Sequence, residues 1–460
     1  MFQFHLMKLL VAFVLLLLVA AGSILYLSRR ETPPAVTVEQ PVRVVGQKGT
    51  LTITVGTTAA KLKDLSIAVE QNGQVIPIAA DPSAKLVQAE PNLLRTSLPF
   101  GKQTVPQLKS GPARIVVSAT RKSFLNLRTL TTTATKDVQV RLEPPRISVV
   151  STHHYVNHGG SEFVVYRVNP PDVASGVRVG DVEYPGFPVG SDPAVKGAFF
   201  ALLYDQDLHT RIQAFARDEA SNEATTSFID NVFEKPQKRS RIELDDKFVG
   251  RVVPEILEHS PELKITPPAA GEDMMPAFLA VNGDLRRKNA DQIAAFAKQT
   301  SPTRLWDGPF VQLGNSKVEA AFADHRTYIY KGKEVDHQVH LGFDLAVTSR
   351  TPIVAANAGT VLNASWLGIY GNCIIIDHGM GVQSLYGHLS SFDVKVGDRV
   401  TRGQMIGRSG MTGLAAGDHL HFTMLVNGRM VNPVEWWDSH WIQDRVMRKL
   451  GEAGSSAATR

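Results

Sequence analysis

Residues 9–27 form a run of nineteen without a charged side chain, between Lys8 and the pair Arg29-Arg30. As a helix rising 1.5 Å per residue, the run would span roughly 28 Å, close to the hydrocarbon thickness of a bilayer. The apolar core of a cleaved signal peptide is shorter, about 7–15 residues, which makes Ala20-Ala21-Gly22 the weaker reading as a cleavage site. The stretch has no polar face, which argues against a helix packed on a soluble domain. Residues 1–30 are therefore read as an uncleaved transmembrane signal anchor, with residues 9–27 in the membrane. Lys8 and the α-amino group stand on one side and two arginines on the other, so charge alone leaves the orientation open.

At 460 residues the chain is long enough for three compact domains. A hydrophobic content of 43% supports packed cores rather than disorder. The single cysteine, Cys373, excludes an intramolecular disulfide framework and reads as a small core residue. A net charge of +5 suits an anionic surface, but no nucleic-acid motif accompanies it, and nucleic acid is not an expected partner.

After the spacer Glu31-Thr32-Pro33-Pro34, strand-like runs at 42–45, 51–55, 113–119 and 136–142 predict a β-sandwich over 36–143. A second β-rich unit covers 146–233. Its alternating run 212–217 followed by a turn resembles the terminal hairpin of bacterial immunoglobulin-like modules, which implies a second, immunoglobulin-like sandwich. Residues 234–305 change character. Apolar residues recur at helical spacing over 245–258 and 284–298, around Pro267-Pro268, and predict a helical connector that could also act as a flap over a neighbouring groove. The basic run 235–241 reads as a solvated linker. The predicted fold class is mainly β and multidomain, ending in a β-sheet domain over 306–437 and a C-terminal helix and disordered tail over 438–460.

Residues 306–437 hold the candidate chemistry. His340 and Asp344 frame Leu341-Gly342-Phe343, His388 sits in Tyr386-Gly387-His388-Leu389-Ser390, and His419-Leu420-His421 opens an alternating run through Val426. Residues i and i+2 of a strand share a face, so His419 and His421 can point into one pocket. Gly342 and the following Leu345-Ala346-Val347-Thr348 argue against a helix and for a loop entering a strand. His388 is expected where a strand ends. Imidazole and carboxylate are good zinc ligands, and three of them plus an open position make a catalytic site. Five such side chains can supply three ligands and leave two imidazoles for proton handling.

The His-x-x-x-Asp and His-x-His pair, with Tyr-Gly-His-Leu-Ser between them, resembles the lysostaphin/LytM-type zinc metallopeptidases that cleave peptide cross-links in bacterial cell wall. The resemblance covers about residues 307–437. It includes Gly371-Asn372 before Ile374-Ile375-Ile376-Asp377-His378-Gly379, and Val396-Gly397-Asp398-Arg399-Val400 before Gly403-Gln404. It implies Zn2+ held by His340, Asp344 and His421, with His388 and His419 as the catalytic imidazoles. One departure is visible: the family has Phe-Gly where this chain has Phe322-Ala323, ahead of Asp324-His325-Arg326. The implied substrate is the stem peptide of peptidoglycan. The implied location is the bacterial inner membrane, single-pass, with the C-terminal body in the periplasm or cell-wall space and an envelope protein partner for the β-modules.

Competing readings are weaker. No His-Glu-x-x-His helix is present, so a helix-borne glutamate base is not implied. Residues 354–361 and 396–400 resemble half-barrel repeats of lipoyl and biotinyl carriers, but no lysine is displayed on a hairpin between them; only a barrel-sandwich core is retained. His378 reads as structural, and His325 and His337 as rim residues. His153, His154 and His158 lack a nearby carboxylate or cysteine and read as a solvated loop. The rival function is a non-catalytic envelope module that regulates other wall hydrolases. Degenerate relatives of that kind lose zinc ligands, whereas all five side chains are present here.

Overall fold

The computed structural model describes residues 2–78, 86–269 and 271–452, with the side chains of 2–6 and 124 left aside. The expected tail beyond 452 lies outside the described residues. The chain divides into two compact units, one formed by 1–145 with 217–223 and the other by 146–216 with 224–460.

The first unit opens with a helix, Phe2–Arg30. Within it Met7–Arg30 has a mean hydropathy of 2.7 and leaves its most apolar stretch unburied, making it long and apolar enough to cross a membrane or to serve as a signal sequence. Two sheets follow, one of four strands and one of five. Their facing residues share one core that includes Leu51, Ile53 and Val55 from one sheet and Leu65, Ile67, Ile115 and Val117 from the other. In Leu62–Gln71, buried Leu65, Ile67 and Val69 alternate with outward-facing neighbours, as a half-buried strand requires.

In the second unit, residues 146–233 build two four-stranded sheets and a short parallel pair, Tyr155–Asn157 with Asn231–Phe233. Helices Asp246–Glu258, Met275–Ala280 and Arg286–Phe296 follow. Asp245 caps the first by accepting from the Phe248 amide, which satisfies one of the orphan donors of the first turn. Val249, Val252, Val253, Ile256, Phe278, Leu285 and Ile293 face a core shared with Tyr328, Ile369, Tyr370, Cys373, Ile375 and Leu385. The helical segment is therefore packed on the C-terminal domain and not suspended between domains. The basic run is corrected in part. Arg239–Leu244 is a strand, parallel to Asp324–Tyr330. Arg239, Arg241 and Glu243 face solvent while Leu244 is buried, so charged residues sit on the open face of a paired strand.

The C-terminal domain is organised on an eight-stranded sheet, with three-stranded sheets beside it. Three of its strands run antiparallel side by side: Phe343–Ala346, His419–Val426 and Val382–Leu389. Asn372–Gly379 continues the sheet beyond the last. Strands Asp324–Tyr330 and Lys333–His340 form the adjoining hairpin.

Candidate metal centre and active site

Register places the candidate residues. Asp344 lies opposite His421 and Ala346 opposite His419 in one antiparallel ladder, while Gly387 lies opposite His421 on the other side. His340 ends the neighbouring strand, and Leu341-Gly342 carries the chain across to Asp344. Directly paired residues bring their Cβ atoms within about 5 Å, so strand pairing closes distances that are long in sequence. A bulge supplies His388. Between the pairs Asn372–Leu389 and Ile374–Tyr386, Gly387 and His388 oppose Cys373 alone. His388 adopts φ 63, in the left-handed region, and the bulge re-aims its ring toward the neighbouring imidazoles. Its centroid lies 4.8 Å from that of His419 and 5.9 Å from that of His421.

Three ligand atoms converge. His340 Nε2 is 2.9 Å from Asp344 Oδ1 and 3.1 Å from His421 Nδ1, and His421 Nδ1 is 3.0 Å from the same oxygen. His340 donates its Nδ1 proton to the Ala321 carbonyl, so Nε2 of the neutral ring presents a lone pair. An imidazole lone pair, a carboxylate oxygen and a second imidazole nitrogen facing one point call for a cation between them. Ligands about 2.0–2.2 Å from a tetrahedral zinc stand roughly 3.3 Å apart, which this cluster approaches. His340, Asp344 and His421 are also the one group of metal-competent side chains found among the described residues. Gly342 permits the approach, because a Cβ there would fall 2.5 Å from Cε1 and Nε2 of His421.

The other two imidazoles are anchored alike. His388 Nδ1 donates to the Thr412 carbonyl at 2.8 Å, and His419 Nδ1 to the Gly417 carbonyl at 2.8 Å. A carbonyl only accepts, so both neutral rings keep Nε2 as the atom available for chemistry. His419 Nε2 lies 3.5 Å from Asp344 Oδ1. Burial, reinforced by His419 and His421, holds His388 well below the usual imidazole range. Burial likewise lowers His421 to about 4. Burial would raise Asp344, but His340, His419 and His421 outweigh it and hold the carboxyl well below its usual range.

Sequence reading passed over several residues that shape this site. Arg326 Nη2 donates to Asp344 Oδ2 at 3.0 Å, fixing the oxygen that does not face the imidazoles. Thr412 holds His388 with its carbonyl and ties its own hydroxyl to the Leu389 carbonyl and the Asn372 amide. The Tyr370 ring stands 5.3 Å from His421, and burial pushes its hydroxyl up to about 12. None of these has a sequence signature beyond its neighbourhood, except that Asp324 and Arg326 share a strand face by i, i+2 spacing. Elsewhere, His378 is wholly buried, donating to the Ala358 carbonyl and meeting Ser384 Oγ. His337 is largely exposed and His325 pairs with Gln237. The solvated-loop reading of the 153–158 histidines fails for His154, which is 3% exposed and bonded to Ser151 Oγ.

Residues 338–433 match peptidase family M23. The C-terminal region is an M23 peptidase domain. Among curated relatives, peptidoglycan DD-endopeptidase ShyA of Vibrio cholerae is 41% identical over 159 residues, 35% of this chain and 34% of the relative. DD-carboxypeptidase/endopeptidase Mpg of Neisseria meningitidis is 41% identical over 97 residues, 21% of this chain and 22% of the relative. Lysostaphin of Staphylococcus staphylolyticus is 42% identical over 91 residues, 19% of each chain. The chain thus covers only about a fifth to a third of the length of these relatives. Ahead of the matched residues, the departure at Phe322-Ala323 has a backbone consequence: Ala323 adopts φ 63, a conformation that glycine would take with less strain.

Proposed function

We propose that this protein is a membrane-anchored zinc endopeptidase that hydrolyses peptide cross-links of bacterial peptidoglycan. The observation that supports it is the convergence of His340 Nε2, Asp344 Oδ1 and His421 Nδ1 beside two imidazoles whose Nδ1 protons are already engaged. His340, Asp344 and His421 would hold the metal. Bound zinc supplies Lewis acidity that polarises the scissile carbonyl and makes water acidic near neutral pH. His388 and His419 present Nε2 to the same cavity, where one can accept a proton from the attacking water on its Nε2 lone pair and the other, when protonated at Nε2, can donate to the developing oxyanion. Thr412 and Gly417 keep those rings in one tautomer throughout.

The cavity, about 340 Å³, is walled by the sheet on one side and by Phe248, Arg286 and Ala290 of the helical segment on the other, a shape that suits an extended peptide. In this reading residues 9–27 anchor the chain in the inner membrane, with the body in the periplasm. The immunoglobulin-like modules 36–143 and 146–233 serve as spacers, 234–305 as the helical wall, and 306–437 as the peptidase. The relatives' names support the substrate class. The test is digestion of purified cell wall by the full chain with muropeptide analysis, paired with zinc determination. His421→Ala should lose both zinc and hydrolysis. His388→Ala should retain zinc and lose roughly 10²–10⁴ in rate. Unchanged hydrolysis in His421→Ala would defeat the reading.

A further inference from the structure

Two arginines line the cavity that contains the metal cluster, and only one has acidic partners. Arg326 bonds Asp344 and lies 3.5 Å from Asp324. Arg286, on the helical wall, makes different contacts. Its Nε donates to the Asn282 carbonyl at 3.1 Å and its Nη2 to Asn282 Oδ1 at 2.6 Å. Asn282 is wholly buried and fixed from behind, because its Nδ2 donates to Asp336 Oδ2 at 2.8 Å. Among the described residues no carboxylate pairs with Arg286; the nearby acid Asp284 pairs with Arg287 instead. The guanidinium is thus immobilised by neutral acceptors while its charge stays unmatched.

The two bonds to Asn282 use one Nε and one Nη2 proton, and a guanidinium has five. Both Nη1 protons and the second Nη2 proton remain, and they lie along the edge that engages a planar anion in a bidentate pair. Arg286, Tyr370, His388 and His421 line the same cavity, so this edge serves the groove that receives the substrate. The field of Arg286 reaches the Tyr370 hydroxyl, where it opposes the effect of burial. In a peptide, the planar anion is a free carboxylate.

We propose that Arg286 is a specificity-determining residue that binds a free carboxylate on the residue flanking the scissile amide, and so selects cross-links formed on a diamino-dicarboxylic acid over glycine bridges. This rests on the endopeptidase reading above. A diamino-dicarboxylic acid joined through one amine keeps a carboxylate on the same carbon, next to the bond to be cut. A glycine bridge offers only amides there, and would leave the guanidinium without an anion in a half-buried site.

The test uses the full chain and two synthetic peptides in which N-acetyl-D-alanine is joined to diaminopimelate. In one, the carboxylate beside the linkage is free; in the other it is a primary carboxamide. Versions with the scissile carbonyl reduced to methylene allow binding to be measured by calorimetry without turnover. The acid form should bind roughly 10- to 100-fold tighter than the carboxamide, as expected for a charge-assisted bidentate contact. Arg286→Gln should erase that ratio by weakening the acid form alone, and Arg286→Lys should retain part of it. Equal binding of both peptides by the native chain, a ratio that persists in Arg286→Gln, or no binding of either peptide would overturn the proposal. The hydrolysable pair separates the two claims. Turnover with no acid preference removes the role of Arg286 alone, whereas an acid preference in binding without any turnover removes the endopeptidase reading alone.

Discussion

Arg326 and Asp344 form a 3.0 Å ion pair in which the guanidinium engages Oδ2 and leaves Oδ1 directed at His340, His421 and His419. The pair divides the carboxylate into an oxygen for the cation site and an oxygen for positioning. Partners of this kind set the orientation of a ligand as firmly as its own backbone does.

Arg326→Gln should therefore weaken zinc binding by roughly 10- to 100-fold while leaving the three ligand side chains in place. Competition against a chelator of known affinity measures it. Affinity equal to that of the native chain would show that strand pairing alone orients Asp344.

Gly342 stands in the gap between His340 and Asp344, the two proposed ligands from the first motif. A methyl group at Gly342 would fall 2.5 Å from the His421 ring, and the Phe422 carbonyl lies 2.9 Å away on the other side. Neither the strand carbonyl nor a ring enclosed by Tyr370 and His340 can move aside freely. Gly342→Ala should displace His421, and the purified protein should carry well under one zinc per chain. A full complement of zinc in this variant would mean the ladder flexes more than its packing implies.

Much of the site was legible because its residues obey simple periodicities. His419 and His421 share a strand face by spacing alone, and Gly342 with the following apolar run argues against a helix for His340 and Asp344. The long-range partners were not legible. Arg326 reaches Asp344 only because its hairpin lies beside the ladder, and Thr412 meets His388 only because a bulge turns that residue inward. Leu62–Gln71 of the first unit is not legible because Lys61, Lys63 and Asp64 mask its alternation at the start, and the first half of Thr129–Val140 is not because threonine carries its β-propensity with little hydrophobicity. His154 was misjudged for a related reason. Three polar residues in a loop look solvated until Ser151, Phe228 and Asp230 close around one of them.

That burial has a consequence for acid stability. Burial, and then the nearby charge of Lys449, lower His154 to about 4, against 6.5 for a free imidazole; Asp230 opposes them only in part. The folded state therefore binds fewer protons than the unfolded chain between those values. The stabilisation from a neutral His154 is complete above pH 6.5 and is lost as pH falls toward 4, for a total of roughly 3 kcal/mol. Unfolding free energy measured by denaturant titration should decline across this window, and His154→Gln should flatten that part of the profile. An unaltered slope in the variant would assign the acid sensitivity to another group.

Glu162 and Lys449 join residues 146–233 to the C-terminal helical segment through a buried ion pair. Both side chains are wholly buried, with Nζ 2.9 Å from Oε1 and 2.7 Å from the Phe163 carbonyl. Glu162 also accepts from the Phe163 and Tyr155 amides. Two ions removed from water gain little as a pair, but removing one partner strands the other in an apolar interior. Lys449→Met should cost roughly 3–5 kcal/mol, because Glu162 is then left in an apolar interior with only the more distant Arg445, 3.9 Å away, to offset its charge. Adding Glu162→Gln should recover part of that loss, since the neutral amide removes the stranded charge and its one oxygen still accepts from one of the two backbone amides. Equilibrium unfolding of the four proteins of this double-mutant cycle gives the coupling directly. Losses that simply add would mean that the two groups stabilise the fold through separate neighbours and not through each other.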